Sequence, residues 1–318
     1  MKRWVTWARE KPWIWSWVAT VLVWLATAAF TEGRGSGEVL TAALSFATFT
    51  VIVGLGQMMV VTLGPGNVDL SIPGTIALAG CAAMKITDSD NSLLLPGILA
   101  ALAIGLAVGI FNYGLIRLLR IPPIIATLST SFVVQSGAIA YGRGIRIKPA
   151  PILADFATTR IAGVPILAIA VALLSIGLGV LLTRTRYGRS VLAIGQNMRA
   201  ARLAGLNVDR VRFATYVLSA LLASICGVVL SGFSGGAALD MGNEYLLASI
   251  AVVVIGGTSV AGGKANVPGI WGAALFLYLL VTMLNTFGAS AGVRLIMTGV
   301  IIIGVILAAG GETQPRAK

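Results

Sequence analysis

The sequence predicts an all-α membrane protein, a polytopic helical bundle of about ten transmembrane segments with broken or re-entrant Gly/Pro-rich stretches. Three observations predict it. Of 318 residues, 57% are hydrophobic and only 11% charged, where a soluble domain carries about 25% charged residues, and the mean hydropathy is +0.94. Apolar runs of bilayer length recur along the whole chain. The excess positive charge gathers on alternate connections between those runs. No segment is polar enough for a separate soluble domain, so 1–318 is expected to form a single transmembrane domain.

Residues 1–12 are basic, with Lys2, Arg3, Arg9 and Lys11 against Glu10. The first span is 13–30. Trp4, Trp7, Trp13, Trp15 and Trp17 crowd its start, where amphipathic rings favour the headgroup layer. A signal peptide also reads basic then apolar, and Ala26-Thr27-Ala28 resembles a cleavage site. More spans follow, so this one is expected to be retained. Spans 39–63 and 70–86 come next, then a polar loop with Asp88 and Asp90. The fourth span, 93–116, is closed by Arg117 and Arg120, and Ile121-Pro122-Pro123 forces a break before the fifth, 124–141. A long outer loop, 143–165, precedes span six, 166–183. A basic polar insert, 184–212, separates it from span seven, 213–232. A short eighth segment, 244–255, a Gly-rich interruption, 256–269, and spans 270–287 and 293–309 complete the chain.

Ten spans put both termini on one side. That side carries 16 basic residues against Glu10, Asp69, Asp209 and Glu312, and the other side carries seven basic residues against seven acids. The whole net charge of +12 therefore lies with the termini, which are expected to be cytoplasmic, and it speaks for loop asymmetry rather than nucleic-acid binding. Eight spans with two re-entrant segments fit the same pattern.

Gly64-Pro65-Gly66-Asn67-Val68-Asp69-Leu70-Ser71-Ile72-Pro73-Gly74 breaks two apolar runs where helix breakers and a carboxylate are expensive. It is either a tight cytoplasmic turn or the lining of a pathway. The charge map sets its Gly64–Asn67 end near the cytoplasmic face, which favours Asp69 as a brace for a broken helix start at the inner mouth of a path. The second interruption, with Gly256, Gly257, Thr258, Ser259, Gly262 and Gly263, lies on the same side. It is either a flexible turn or a broken helix facing a pathway. It is not a phosphate loop: counted from Gly257, Gly263 stands where the lysine belongs, and Lys264 is followed by Ala265 rather than Ser or Thr. ATP hydrolysis by this chain is not expected.

The basic insert holds a short helix. Asn197 suits the N-cap, residues 198–204 are good helix formers, and Gly205 suits the position just past the end. Two readings stand. The helix lies on anionic lipid through its arginines, or it docks a cytoplasmic partner, with small Ala200 and Ala201 allowing close approach. Among the spans, Gln57, Asn67, Asp69, Ser71, Asn112, Gln135, Asn285 and Glu244 are polar. Such residues either bind helices together or line a path, and the two acids carry the stronger functional expectation. The chain has no His, and Cys81 and Cys226 both lie in apolar runs, so neither a metal site nor a nucleophile constellation is expected.

Four stretches resemble one family. Gly64–Gly74 with Thr75-Ile76-Ala77-Leu78 resembles the G-G-I-D-L-S-V-G signature of ribose-type ABC importer permeases, and residues 120–128, Arg-Ile-Pro-Pro-Ile-Ile-Ala-Thr-Leu, look like their fifth-span entry. Tyr187-Gly188-Arg189, Gly195-Gln196-Asn197 and Ala200-Ala201-Arg202-Leu203-Ala204-Gly205 are similar to their cytoplasmic coupling loop. Val254-Ile255-Gly256-Gly257-Thr258-Ser259 with Gly262-Gly263 is similar to their most recognisable motif. The order is that of the family. Pro65 and Asn67 depart from its compact first signature, and Lys264-Ala265-Asn266 stands where Arg-Gly-Ser is common.

The resemblance implies one transmembrane subunit of an ATP-driven importer for a monosaccharide or related polyol, in a bacterial inner membrane. It implies a second permease subunit, identical or not, a cytoplasmic ATPase that binds ATP and Mg, and a soluble periplasmic or extracellular binding protein. No cofactor or metal is expected on this chain. Gly195, Gln196, Asn197, Arg199, Ala200, Ala201, Arg202 and Gly205 would couple to the ATPase. Gln57, Asn67, Asp69, Ser71, Asn112, Gln135 and Asn285 would shape or brace the path. Alternatives are an importer for branched-chain amino acids, nucleosides or a sugar-like signal molecule, and, in a different class, an ion-coupled secondary transporter.

Overall fold

A computed structural model describes residues 13–33, 35–144 and 147–290, together with 292–293, 296–297, 299–300 and 303–304. The predicted tenth span, 293–309, and the basic residues 1–12 fall largely or wholly outside the described residues.

Among the described residues the regular secondary structure is helical apart from one short hairpin. α1 (Trp13–Phe30) is followed by α2 (Ser36–Thr62), α3 (Ile72–Thr87) and, after a single 3-10 turn, α4 (Leu94–Leu118) and α5 (Pro123–Gly142). The connection between α5 and the next long helix carries α6 (Pro151–Thr158) and two antiparallel strands, β1 (Arg160–Ile161) and β2 (Val164–Pro165), paired Arg160 to Pro165. It is therefore more ordered than the irregular loop its three prolines imply, because Pro151 starts a helix, where its missing N–H costs nothing. Then come α7 (Ile166–Arg184), α8 (Arg186–Gln196), α9 (Met198–Leu203), α10 (Val208–Phe233), α11 (Glu244–Ile255) and α12 (Val267–Thr286).

Seven helical segments among the described residues are long and apolar enough to cross a membrane: α1, α2, α4 with its 3-10 turn, α5, α7, α10 and α12. The two others that the sequence predicts as spans are shorter, with 16 residues in α3 and 12 in α11. At about 1.5 Å per residue they reach roughly 24 and 18 Å, less than the ~30 Å of a hydrocarbon core. Both shortened helices adjoin the Gly/Pro-rich breaks. Helices α2, α10 and α12 form the buried centre, and α1, α4, α5 and α7 turn most of their surface outward, as lipid-facing helices do.

Small residues set the packing, as they do where no hydrophobic force separates helix from lipid. On α4, a Cβ at Gly105 would stand 2.8 Å from the Ala220 carbonyl oxygen, and one at Gly109 would stand 2.5 Å from Val217 Cα. The α4 and α10 backbones thus meet almost directly. The basic insert is more structured than its polarity predicts. It holds two helices and the first turn of a third, since α10 begins at Val208 rather than 213.

Candidate functional site: a glycine junction and a buried polar hub

The two breaks and the basic insert meet at one place. Helix α2 ends at Thr62, and the chain turns at Gly64, with φ +119°. The Thr62 carbonyl accepts a hydrogen bond of 2.9 Å from Gly263 N, in the second interruption. Gly195, in the last turn of α8, lies against both: a Cβ there would overlap the Thr62 oxygen and the Gly263 nitrogen. A Cβ on Gly262 would overlap Gly64 Cα and stand 2.9 Å from the Gly195 oxygen, and one on Gly263 would stand 2.9 Å from Gln196 N. Gly64, Gly195, Gly262 and Gly263 therefore make a joint of bare backbone, with no side chain between the three segments. Gly262 and Gly263 also have φ of +90° and +74°, which L side chains rarely adopt.

The second interruption is a closed loop. Gly256 ends α11, the Thr258 N–H bonds to Val253 O at 3.1 Å, and Ser259 N bonds to Lys264 O at 3.2 Å. Its base is pinched where a Cβ on Gly256 would stand 2.8 Å from the Gly269 carbonyl carbon. Gly257, with φ +81°, carries the chain out of the helix.

The insert is seated by its own residues. Thr185 caps α8 by accepting from Gly188 N at 3.1 Å, and Gly188 lets α8 fold tightly on the end of α7, since a Cβ there would overlap Leu182. Val191 and Ile194 are buried. Tyr187 and Thr215 share a 2.8 Å hydrogen bond that ties α8 to α10. Burial pushes the Tyr187 phenol above its ordinary pKa, so it stays a neutral hydroxyl partner. Asn197 caps α9, accepting from Ala200 N at 3.0 Å. The helix closes with Leu206 N bonded to Ala201 O and Gly205 N to Arg202 O, both at 3.1 Å, a Schellman end in which Gly205 takes φ +81°. Arg199, Ala200 and Arg202 are exposed, whereas Ala201 is buried within the chain's own packing, so only Ala200 of the two small residues leaves room for a partner. Leu203, 89% exposed at the tip of α9, is the most prominent apolar residue of the insert. It was not singled out from the sequence, although an apolar residue directly after an arginine in a polar insert is the signal for it.

Five of the polar residues read from the sequence form one buried hub around the first break. Asp69 Oδ1 accepts from Ser71 N at 3.0 Å and from Ser71 Oγ at 2.6 Å, so the carboxylate sits at the start of α3. Its Oδ2 accepts from Ser219 Oγ of α10 at 2.7 Å. Gln57 of α2 accepts from the Asp69 N–H at 3.1 Å, and Asn112 of α4 donates to Ser71 Oγ at 2.8 Å. Asn67 folds back on Gly64 O at 3.1 Å, and its Oδ1 accepts from Tyr216 OH at 3.0 Å and Arg212 Nη2 at 3.2 Å. Thr127 of α5 accepts from Leu70 N at 3.0 Å. Gln57, Asn67, Asp69, Ser71 and Asn112 are all buried, so in this conformation they face other protein groups rather than an open channel.

Gln135 and Asn285 are not part of the hub. Gln135 donates to Leu239 O at 2.7 Å, and Asn285 lies exposed in the last turn of α12. Glu244 begins α11, apart from the hub. Sequence reasoning missed Thr127, Arg212, Tyr216 and Ser219. The last three recur at i, i+4 and i+7 on α10, one helical face. Next to them, Asp209 accepts from Tyr113 OH at 3.1 Å and pairs with Arg117 at 3.2 Å, tying α4 to the start of α10. Among the described residues no group of three His, Cys, Asp or Glu side chains could hold a metal ion.

Known proteins are similar to this chain over most of its length. The chain is 31% identical over 269 residues to the ribose import permease protein RbsC of Escherichia coli K12, covering 83% of each chain. It is 31% identical over 261 residues to the ribose import permease protein RbsC of Bacillus subtilis 168, covering 80% of each. It is 32% identical over 284 residues to the autoinducer 2 import system permease protein LsrC of an Enterobacter species, covering 86% of this chain and 82% of that one. No solved structure matches at a significant level. Residues 39–306 match the family described as the branched-chain amino acid transport system permease component, which takes in the hub, the insert and the junction. The chain belongs to that family of membrane permeases.

Proposed function

We propose that this chain is the transmembrane subunit of an ATP-binding cassette importer that carries a monosaccharide or related polyol into a bacterial cell by alternating access. One observation carries the mechanism: the glycine junction joins the cytoplasmic insert, through backbone alone, to both breaks. A displacement of α8 and α9 reaches the end of α2 and the loop before α12 with no flexible side chain to absorb it. The Tyr187–Thr215 bond carries the same displacement into α10, whose Arg212, Tyr216 and Ser219 hold the start of α3.

In this reading a separate ATPase binds ATP and Mg and docks on α9 through Arg199, Ala200, Arg202 and Leu203. A second permease subunit completes the path, and a soluble binding protein delivers substrate beside α6 and the hairpin. The charge map supports cytoplasmic termini, with α3 and α11 as shortened spans and 293–309 as the tenth. Asp69 braces α3, and the hub is the element that rearranges. Among the described residues, Gln57 Nε2, Asn112 Oδ1 and Arg212 Nε are buried without a protein hydrogen-bond partner, so they have capacity to pair in a second arrangement of the hub.

The relatives named for ribose and autoinducer 2 import support the sugar class. The family description favours a second reading, import of a branched-chain amino acid. Ligand screening of the cognate binding protein, followed by uptake into proteoliposomes holding the complete transporter, separates the two: ribose-like ligands support the first, leucine the second. Leu203→Asp is expected to reduce both uptake and substrate-stimulated hydrolysis at least tenfold while leaving the folded chain intact. Unaltered uptake in that variant would remove α9 as the docking element.

A further inference from the structure

Away from the hub, α2, α7 and α12 enclose a groove of about 490 Å³. That is the size of a small-molecule site. Leu44, Ala168, Ala172, Ile176, Val267 and Trp271 are among its walls. Its two side-chain polar groups satisfy each other, since Trp271 Nε1 donates to Ser175 Oγ at 2.9 Å while that hydroxyl donates to Val171 O at 2.7 Å. The wall therefore offers an occupant nothing but apolar surface, which suits a hydrocarbon chain.

The two ends of the groove differ in charge. Near Val164 the adjoining segments carry both signs, with Asp155 on α6 and Arg160 on β1. At the other end, where Gly179 faces Val267 across a notional Cβ contact of 4.0 Å, the charges are of one sign. Arg184 follows Gly179 by five residues, about 7.5 Å along the axis of α7. Arg186 begins α8, and Lys264 lies three residues before Val267. All three are exposed, and among the described residues none is ion-paired. The depth is right as well. Trp17, in the aromatic cluster of α1, donates its indole N–H to Pro268 O at 3.1 Å, at this same end. Tryptophans gather at headgroup level.

We propose that this groove binds an anionic phospholipid, with one acyl chain along Trp271 and the phosphate held by Arg184, Arg186 and Lys264. Lys264 adjoins Gly263 of the glycine junction, so headgroup binding bears directly on the loop that the junction fixes. Lipid composition is thereby an input to the moving part.

The test uses the purified full chain, delipidated and titrated with phosphatidylglycerol or phosphatidylcholine, with retained lipid counted by native mass spectrometry. Phosphatidylglycerol is expected to be retained at least tenfold better. Each of Arg184→Gln, Arg186→Gln and Lys264→Gln is expected to weaken retention about fivefold. Ala172→Phe, which fills the groove and leaves every charge in place, is expected to abolish it. Equal retention of the two lipids, phosphatidylglycerol retention unchanged when the three Gln substitutions are combined, or retention unchanged by Ala172→Phe would each overturn the proposal. So would quantitative cross-linking in membranes from Ala172→Cys to a second copy or to residues 293–309, because the groove would then be covered by protein. No ATPase or sugar enters the measurement, so its failure leaves the transport reading untouched.

Discussion

Replacing Gly195 with alanine puts one methyl group into the joint between the insert and the two breaks. The methyl would overlap the Thr62 carbonyl oxygen and the Gly263 nitrogen, and would stand 2.9 Å from Gly263 Cα. All three are backbone atoms, so no rotamer change relieves the crowding. Overpacking a tight site costs about 1–3 kcal/mol. Prising Gly263 from Thr62 also breaks their 2.9 Å hydrogen bond and strands buried polar groups, for another ~1–3 kcal/mol. Together the loss is roughly 3 kcal/mol or more, over a hundredfold in the population of the closed joint. The assay pairs the thermal midpoint of the purified chain with the ratio of uptake to ATP hydrolysis in proteoliposomes. Gly195→Ala is expected to lower the midpoint by on the order of 5–10 °C and to depress uptake more than hydrolysis. Gly177→Ala is the control. It lies in α7 with nothing within 4 Å of a notional Cβ, so alanine there gains about 0.5–1 kcal/mol of helix preference. A Gly195→Ala protein that melts and transports like Gly177→Ala would refute the joint.

Two further outcomes follow from the same geometry. Ser219→Ala removes the hydroxyl that donates to Asp69 Oδ2 and is expected to cost about 1.5–3 kcal/mol. Ser224→Ala, whose hydroxyl bonds within its own helix to Leu221 O, should cost under ~1 kcal/mol, and equal shifts in midpoint would show that Asp69 is not held by α10. In the turn before α4, the backbone N–H of Ser92, and then its hydroxyl, hold the Asp90 carboxyl below its ordinary pKa. A depressed carboxylate stabilises the folded turn above its unfolded pKa, about 3.9, and loses that contribution as pH falls through the folded value. The exchange protection factor of the Ser92 amide should accordingly hold between pH ~7 and ~5 and collapse only below ~3.9; collapse at pH ~5 would contradict the cap.

The spans were legible because bilayer length and turn chemistry are local properties. Segment 13–30 coincides with α1, 166–183 lies within α7 (Ile166–Arg184), and Asn197 and Gly205 bound α9 as their capping chemistry requires. Helix α8 was not legible. Its arginines, Tyr187 and Ser190 read as loop, and the burial of Val191 and Ile194 that stabilises it comes from α7, α10 and the junction. The hub was half legible. A carboxylate or an amide in an apolar run is conspicuous, so Gln57, Asn67, Asp69 and Asn112 stood out, and Ser71 stood out only because it lies in the Gly/Pro-rich break. A hydroxyl is not, because most in-helix Ser and Thr bond back to their own helix. Thr215 does so to Val211 O and Ser231 to Gly227 O, whereas Ser219 turns to Asp69. Nothing in a single sequence distinguishes the three. The meeting of Gly64, Gly195, Gly262 and Gly263 was illegible for a related reason. Each break announces itself, but a contact between bare backbones leaves no complementary side chains to match.

The glycine junction also sets a timetable for biosynthesis. Its parts lie at positions 62–64, 195 and 262–263, so about 200 residues must be added between the emergence of the first and the last. At ~5–20 residues per second that takes on the order of ten to forty seconds. Throughout that interval the end of α2 and the tip of α8 lack their third member, and the Thr62 carbonyl lacks the donor that Gly263 brings. The nascent permease therefore passes through an intermediate in which the junction is still open. Chains truncated before Gly263 stay in that state, because the donor to the Thr62 carbonyl is never made.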